Sequence, residues 1–306
     1  MAVDSWYQGF LREGPLTPIP LLQYSESTPI GLIDPRTGLP IAPVAEFTWA
    51  QFITKTPADL GAIYVRVTDK HSSISGAGGS TWFSDVVNNK FALVSGPIVT
   101  TWAARPAANL AYIGLGLEIR LSDYTTYPNY FSNGTDYLPN GRQLLSHGVF
   151  GTLAAPTVFQ AVDTAAHELT IVGGKPKILG GIGIAGSRFL VQGHWYRNNA
   201  TANAPSAAIS LGTAAAYGTD PNIWGSGITN TAALSVYCDT YLNLVSQTAV
   251  ISSYNGIRGG AGGASTGIDR TMAFASDQTF SVGLSAVASA NTDKISLQSL
   301  TIWHEA

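Results

Sequence analysis

Charge is scarce in this chain. Of its 306 residues, 16 are Lys or Arg and 19 are Asp or Glu, 11% in all, against about 25% in an ordinary soluble domain. The formal net charge of -3 gives no general basic surface for nucleic acid. Cysteine is nearly missing as well. A lone Cys238 excludes an intrachain disulfide framework and a cysteine-built zinc site. Long apolar runs are missing too. The richest stretch, Ile178 to Val191, is broken by Gly180, Gly181, Gly183, Gly186 and Arg188, so no membrane insertion is expected. The N-terminus has no basic segment followed by an apolar one, so no signal peptide is read there.

Catalytic signatures are equally thin. His167-Glu168 fails as His-Glu-x-x-His because position 171 is Ile. No Gly-x-Ser-x-Gly elbow, Rossmann fingerprint or Walker sequence occurs. The Gly-rich run Gly256–Gly267 is followed by no Gly-Lys-Ser/Thr and reads as a surface loop. No cofactor and no metal site is expected, and no enzyme.

What is present is apolar and β-forming: 45% of the chain is hydrophobic and 33 residues are Gly. Disorder would need the opposite composition. A monomer this poor in charge would expose apolar patches, so an obligate oligomer or a particle component fits better.

Residues 1–46 carry Pro15, Pro18, Pro20, Pro29, Pro35, Pro40 and Pro43, too many for a helix because each removes an N–H and fixes φ. Its apolar residues cannot bury themselves in an extended arm, which is therefore expected to lie on another subunit or a larger body.

An internal repeat follows. Val65-Arg66-Val67-Thr68-Asp69 matches Ile119-Arg120-Leu121-Ser122-Asp123 at an offset of 54. Upstream, Trp49 matches Trp102, and Thr56-Pro57-Ala58-Asp59-Leu60 matches Arg105-Pro106-Ala107-Ala108-Asn109-Leu110. Downstream, Phe83-Ser84-Asp85 matches Phe131-Ser132-Asn133, and Asn88-Asn89-Lys90 with its following strand matches Asn140-Gly141-Arg142. Residues 47–98 and 99–148 are read as two copies of one small β module. Residues 149–306 hold about ten short β-forming runs between Gly, Ala, Ser and Asn turns. They predict a C-terminal β-sandwich of jelly-roll type. In the run Lys294–Trp303, the apolar phase changes near Ser299, which predicts a bulge.

Polar-aromatic stretches are the candidate binding sites, because sugars are held by aromatic faces and amide, carboxylate and guanidinium hydrogen bonds. They are Tyr217, Asp220, Asn222 and Trp224 in one loop, Tyr254 and Arg258 in a second, and Trp195 and Tyr196 at a strand end.

The Pro-rich start, the tandem modules and the ending Ala290-Asn-Thr-Asp293-Lys-Ile-Ser-Leu297-Gln-Ser-Leu300-Thr-Ile302 together resemble bacteriophage tail-fibre and tail-spike proteins. The resemblance implies an all-β homotrimeric virion protein located on the phage tail or particle surface and assembled in the host cytoplasm. Its N-terminal arm would attach to other virion tail or head proteins, and its C-terminal head would recognise a host surface glycan or protein. Two rival readings remain: a purely structural decoration, collar or head fibre, and a spike that degrades glycan. For the latter the C-terminal region offers Asp163, Glu168, Asp220, Asp239, Asp269, Asp277, Asp293 and Glu305, but nothing selects a pair among them.

Overall fold

The computed structural model describes residues 45–76, 78–149, 160–161, 167–169, 171, 173–198, 206–227, 235–258, 268–284 and 294–305. The expected arm lies outside these residues, except that Ala45 and Glu46 open the first strand. The described chain divides into two compact units. One runs to Gly96 and takes in Ala111–Ile113; the other holds Pro97–Leu110 and the chain from Gly114 onward.

The first unit contains β1 (Ala45–Phe47), two single helical turns α1 (Trp49–Phe52) and α2 (Pro57–Leu60), then β2 (Tyr64–Val67), β3 (Ser80–Asp85) and β4 (Lys90–Leu93). Both turns start on a capping box: Thr48 with Gln51, and Thr56 with Asp59 behind Pro57. Each box satisfies amides that the short turn leaves open. The sheet order is β1-β2-β3-β4, with β1 parallel to β2 and the other pairs antiparallel. Val65 and Val67 point inward while Tyr64 and Arg66 stay partly exposed, as period-two alternation requires. The core is aromatic. Phe52 lies 5.2 Å from Trp82 and 4.6 Å from Phe91, centroid to centroid.

The second copy opens the second unit: β5 (Ile98–Thr100), β6 (Glu118–Leu121), β7 (Asn129–Ser132) and β8 (Tyr137–Pro139). Its order is β5-β6-β7-β8, again with a parallel first pair. The repeat extends to individual hydrogen bonds. Asp69 accepts from the Trp49 N–H, and Asp123 from the Trp102 N–H. Ser84 N–H donates to Ile63 O, and Ser132 N–H to Leu117 O, both at 2.9 Å. The recurrent Asp is thus a fastener for the backbone that enters each copy. One part of the expected match is corrected. β4 is paired like β8, not like the strand after Asn140-Gly141-Arg142, because Phe91 sits opposite Ser84 as Tyr137 sits opposite Ser132.

That later strand, β9 (Gln143–Val149), leaves the small sheet and joins the sandwich. The remaining strands are β10 (Gln160–Ala161), β11 (His167–Glu168), β12 (Lys177–Ile178), β13 (Arg188–Asn198), β14 (Ser206–Gly212), β15 (Asn222–Gly227), β16 (Ser235–Ser246), β17 (Ala249–Arg258), β18 (Ile268–Thr271), β19 (Gln278–Leu284) and β20 (Lys294–Glu305). A seven-stranded antiparallel sheet runs β10-β20-β13-β16-β17-β18, with β9 also on β20. A five-stranded one runs β11-β19-β14-β15, with β12 also on β19. Between them lie Phe189, Val191, Trp195, Cys238, Leu242, Leu300 and Ile302 from the large sheet, facing Ile209, Leu211, Trp224, Phe280 and Val282 from the small one.

The predicted bulge is present. His194 pairs with Ser299 and Trp195 with Leu297, leaving Gln298 as the extra residue. β16 absorbs a register shift at Cys238/Asp239. One reading changes: Asn222 and Trp224, expected in a loop, lie in β15, which pairs with β14. The backbone of Met272–Ala275 turns, with Phe274 N–H bonded to Gln247 O.

The second module closes one end of the sandwich core. Tyr130 hydroxyl meets His304 Nδ1 at 2.8 Å, Trp102 Nε1 donates to Gly180 O at 3.0 Å, and the Leu179 N–H donates to Tyr124 hydroxyl at 3.1 Å.

Candidate binding face on the sandwich

The residues singled out in the sequence do not converge on one surface. Trp195 and Trp224 are 1% exposed and stack on each other between the sheets, 5.9 Å apart. Alternation along β13 sends Trp195 inward with Phe189 and Val191. Both rings are core packing. Asp220 is buried and accepts from the amides of Ala214 (3.1 Å) and Ala216 (3.0 Å), which closes its own loop. Tyr217 lies flat on Gly283: a Cβ there would come 2.2 Å from the ring. Its N–H donates to Glu168 at 2.9 Å. Asn222 is exposed and accepts from the Ser210 hydroxyl at 2.6 Å. Tyr196 is half-buried on β13. Tyr254 and Arg258 lie in β17, paired with Thr240 and Tyr237; their side chains fall outside the described residues.

The polar-aromatic surface lies instead on the outer face of the large sheet. There β16 presents Tyr237, Asp239 and Tyr241, while Cys238, Thr240 and Leu242 point to the core. Cross-strand register builds rows. One is Tyr241–Leu190–Trp303–Leu144, the next Asp239–Gln192–Thr301–His147, and the next Tyr237–His194–Ser299–Val149. None of Tyr237, Tyr241 or Trp303 was singled out from sequence. The period of two that sets Tyr237, Asp239 and Tyr241 against Cys238, Thr240 and Leu242 is the signal available.

The groups on this face engage one another. Gln192 donates to Asp239 at 3.0 Å and accepts from Trp303 Nε1 at 3.1 Å. Glu305 pairs with both Arg142 and Arg188. The Arg188 guanidinium lies 5.1 Å over Tyr241, and that of Arg142 lies 4.7 Å over Trp303. His194 stacks on Tyr237 at 4.0 Å, and burial holds its pKa below the usual value. Rings flanked by amide, carboxylate and guanidinium groups can take a sugar face by stacking and its hydroxyls by hydrogen bonds.

The carboxylates weighed for glycan cleavage are mostly structural. Burial works to raise Glu168, but the Lys175 ammonium and Tyr217 N–H outweigh it and hold it below its ordinary range. Asp277 is held low by Lys177 at 2.9 Å and by the Gly180 N–H at 2.8 Å. A glycosidase general acid needs the opposite shift. Asp163 and Asp293 lie outside the described residues, as does the Asp269 side chain. Cys238 is buried, and burial pushes its thiol up to about 12, which suits an inert core residue. No group of three metal-ligating side chains occurs among the described residues.

No protein-family model matches the chain, and no curated protein matches it.

Proposed function

We propose that the protein is a receptor-binding component of a bacteriophage tail, a homotrimer in the virion that attaches by its N-terminal arm and engages a host surface glycan or protein with its C-terminal sandwich. The observation that carries this reading is the outer face of the large sheet, where Tyr237, Tyr241 and Trp303 alternate with Gln192, Asp239 and Arg188 across adjacent strands. It is not read as an enzyme, because Glu168, Asp220, Asp239, Asp277 and Glu305, weighed for glycan cleavage, are engaged by structural partners. A second reading, a purely structural decoration, collar or head fibre, draws support from the same face: its charges are already paired with one another.

The full chain separates the two. As a receptor-binding protein it binds host cells and slows adsorption of particles, and Tyr241→Ala combined with Trp303→Ala weakens both about tenfold or more. Wild-type protein that neither binds nor competes leaves the structural reading. Release of new reducing ends from host polysaccharide would point to a degrading spike instead.

A further inference from the structure

The two modules differ at the centre of their cores. Phe91 and Tyr137 each stand opposite the equivalent Ser. In the first copy, Phe91 is buried against Phe52. In the second copy a tyrosine takes the place of that phenylalanine, and the ring packed against it is Trp102, 6.4 Å away centroid to centroid. Arg105 stacks 3.7 Å over the Trp102 ring and donates to the Trp102 carbonyl. It makes no ion pair among the described residues, although it is half-buried. Tyr137 is 4% exposed, and its hydroxyl has no hydrogen-bond partner among the described residues. Beside them opens a cleft of about 280 Å³, whose rim adds Thr135 and Asp136.

A polar group buried without a partner costs stability, and the sister copy shows that this fold closes with phenylalanine in the place of Tyr137. A guanidinium without a counter-ion is a fork for a planar anion. The cleft falls below the ~300–1,000 Å³ of drug-sized pockets, which suits a single ring. Asp136 on the same rim opposes a dianion such as phosphate but accepts from hydroxyls.

We infer that this cleft binds a single hydroxylated ring carrying a carboxylate, chemically a uronic acid unit, with Arg105 on the carboxylate and Tyr137, Thr135 and Asp136 on the hydroxyls. The site is separate from the sandwich face and does not depend on the function proposed for it.

The test uses saturation-transfer NMR on the full chain with methyl glucuronide and methyl galacturonide, each against its neutral glucoside or galactoside, and with inorganic phosphate as competitor. At least one uronide binds about tenfold or more tighter than its neutral counterpart. Arg105→Gln, which removes the charge, removes that preference. Tyr137→Phe, lacking one oxygen, weakens uronide binding several-fold without lowering the thermal midpoint. The inference is overturned if neither uronide binds or the neutral glycosides bind equally well. Displacement by phosphate at equal concentration, or binding that survives Tyr137→Phe unchanged, overturns it as well.

Discussion

Acid should loosen the seam between the second module and the sandwich through one side chain, His304. Its ring is buried, stacked 4.3 Å from Phe189, with Nδ1 bonded to the Tyr130 hydroxyl and Nε2 without a partner. Protonation would place a second donor where nothing accepts it, and burial lowers the pKa from 6.5 to about 3. The unfolded chain therefore takes up the proton first. The contribution to stability is complete above about pH 6.5 and is lost as pH falls toward 3. Between pH 7.5 and 5.0 the loss is about 2 kcal/mol, and its limit over the whole window is about 5 kcal/mol. Urea unfolding followed by tryptophan fluorescence at four pH values reads it directly. The comparison is His304→Phe combined with Tyr130→Phe, which keeps the stacked ring and removes the orphaned hydroxyl. Other groups, His194 included, titrate equally in both proteins. The wild type should lose about 2 kcal/mol more than the double variant by pH 5.0; parallel pH profiles would refute the reasoning.

Three further outcomes are expected. Gly283→Ala sets a methyl 2.2 Å from the Tyr217 ring and should cost about 1–3 kcal/mol in thermal unfolding, with Tyr217 becoming more accessible to solvent. Asp123→Ala removes the acceptor of the Trp102 N–H and should cost about 1–2 kcal/mol, read as a lower urea midpoint. Cys238 should resist a thiol reagent such as dithionitrobenzoate in the native protein and react once urea exposes it; fast native reaction would contradict its burial.

Much of the architecture could be read from residue order because its period is local. The alternation at Tyr64–Val67 and the Asp ending each repeat strand identified the modules, and the phase change near Ser299 located the bulge. What escaped depends on pairing partners distant in sequence. His194-Trp195-Tyr196 looks like one polar-aromatic cluster until β20 shows which ring faces the core. Trp224 looks like a loop residue because Pro221 precedes, and Gly225 lies within, a strand that β14 completes. The aromatic exchange between modules was hidden by similarity itself: Asn88-Asn89-Lys90 resembles Asn140-Gly141-Arg142, which pulled Phe91 away from its true counterpart, Tyr137. A resemblance in turn composition is weaker than a hydrogen-bond register, because many sequences make the same turn.

In each small sheet the chain arrives on one edge strand, β1 or β5, and departs from the opposite edge, β4 or β8. Among the described residues neither sheet takes a strand from the other copy; the backbone bond that joins them, Phe91 N–H to Tyr112 O at 2.7 Å, runs from β4 to a loop of the second copy. A coding segment that ends with the last strand of its small sheet, before β9, could be gained or dropped by recombination without leaving a strand unpaired inside a sheet. The number of copies, two here, is then a dimension that a gene can change in single steps, while a spare copy is free to trade a core phenylalanine for a polar ring, as Phe91 is traded for Tyr137.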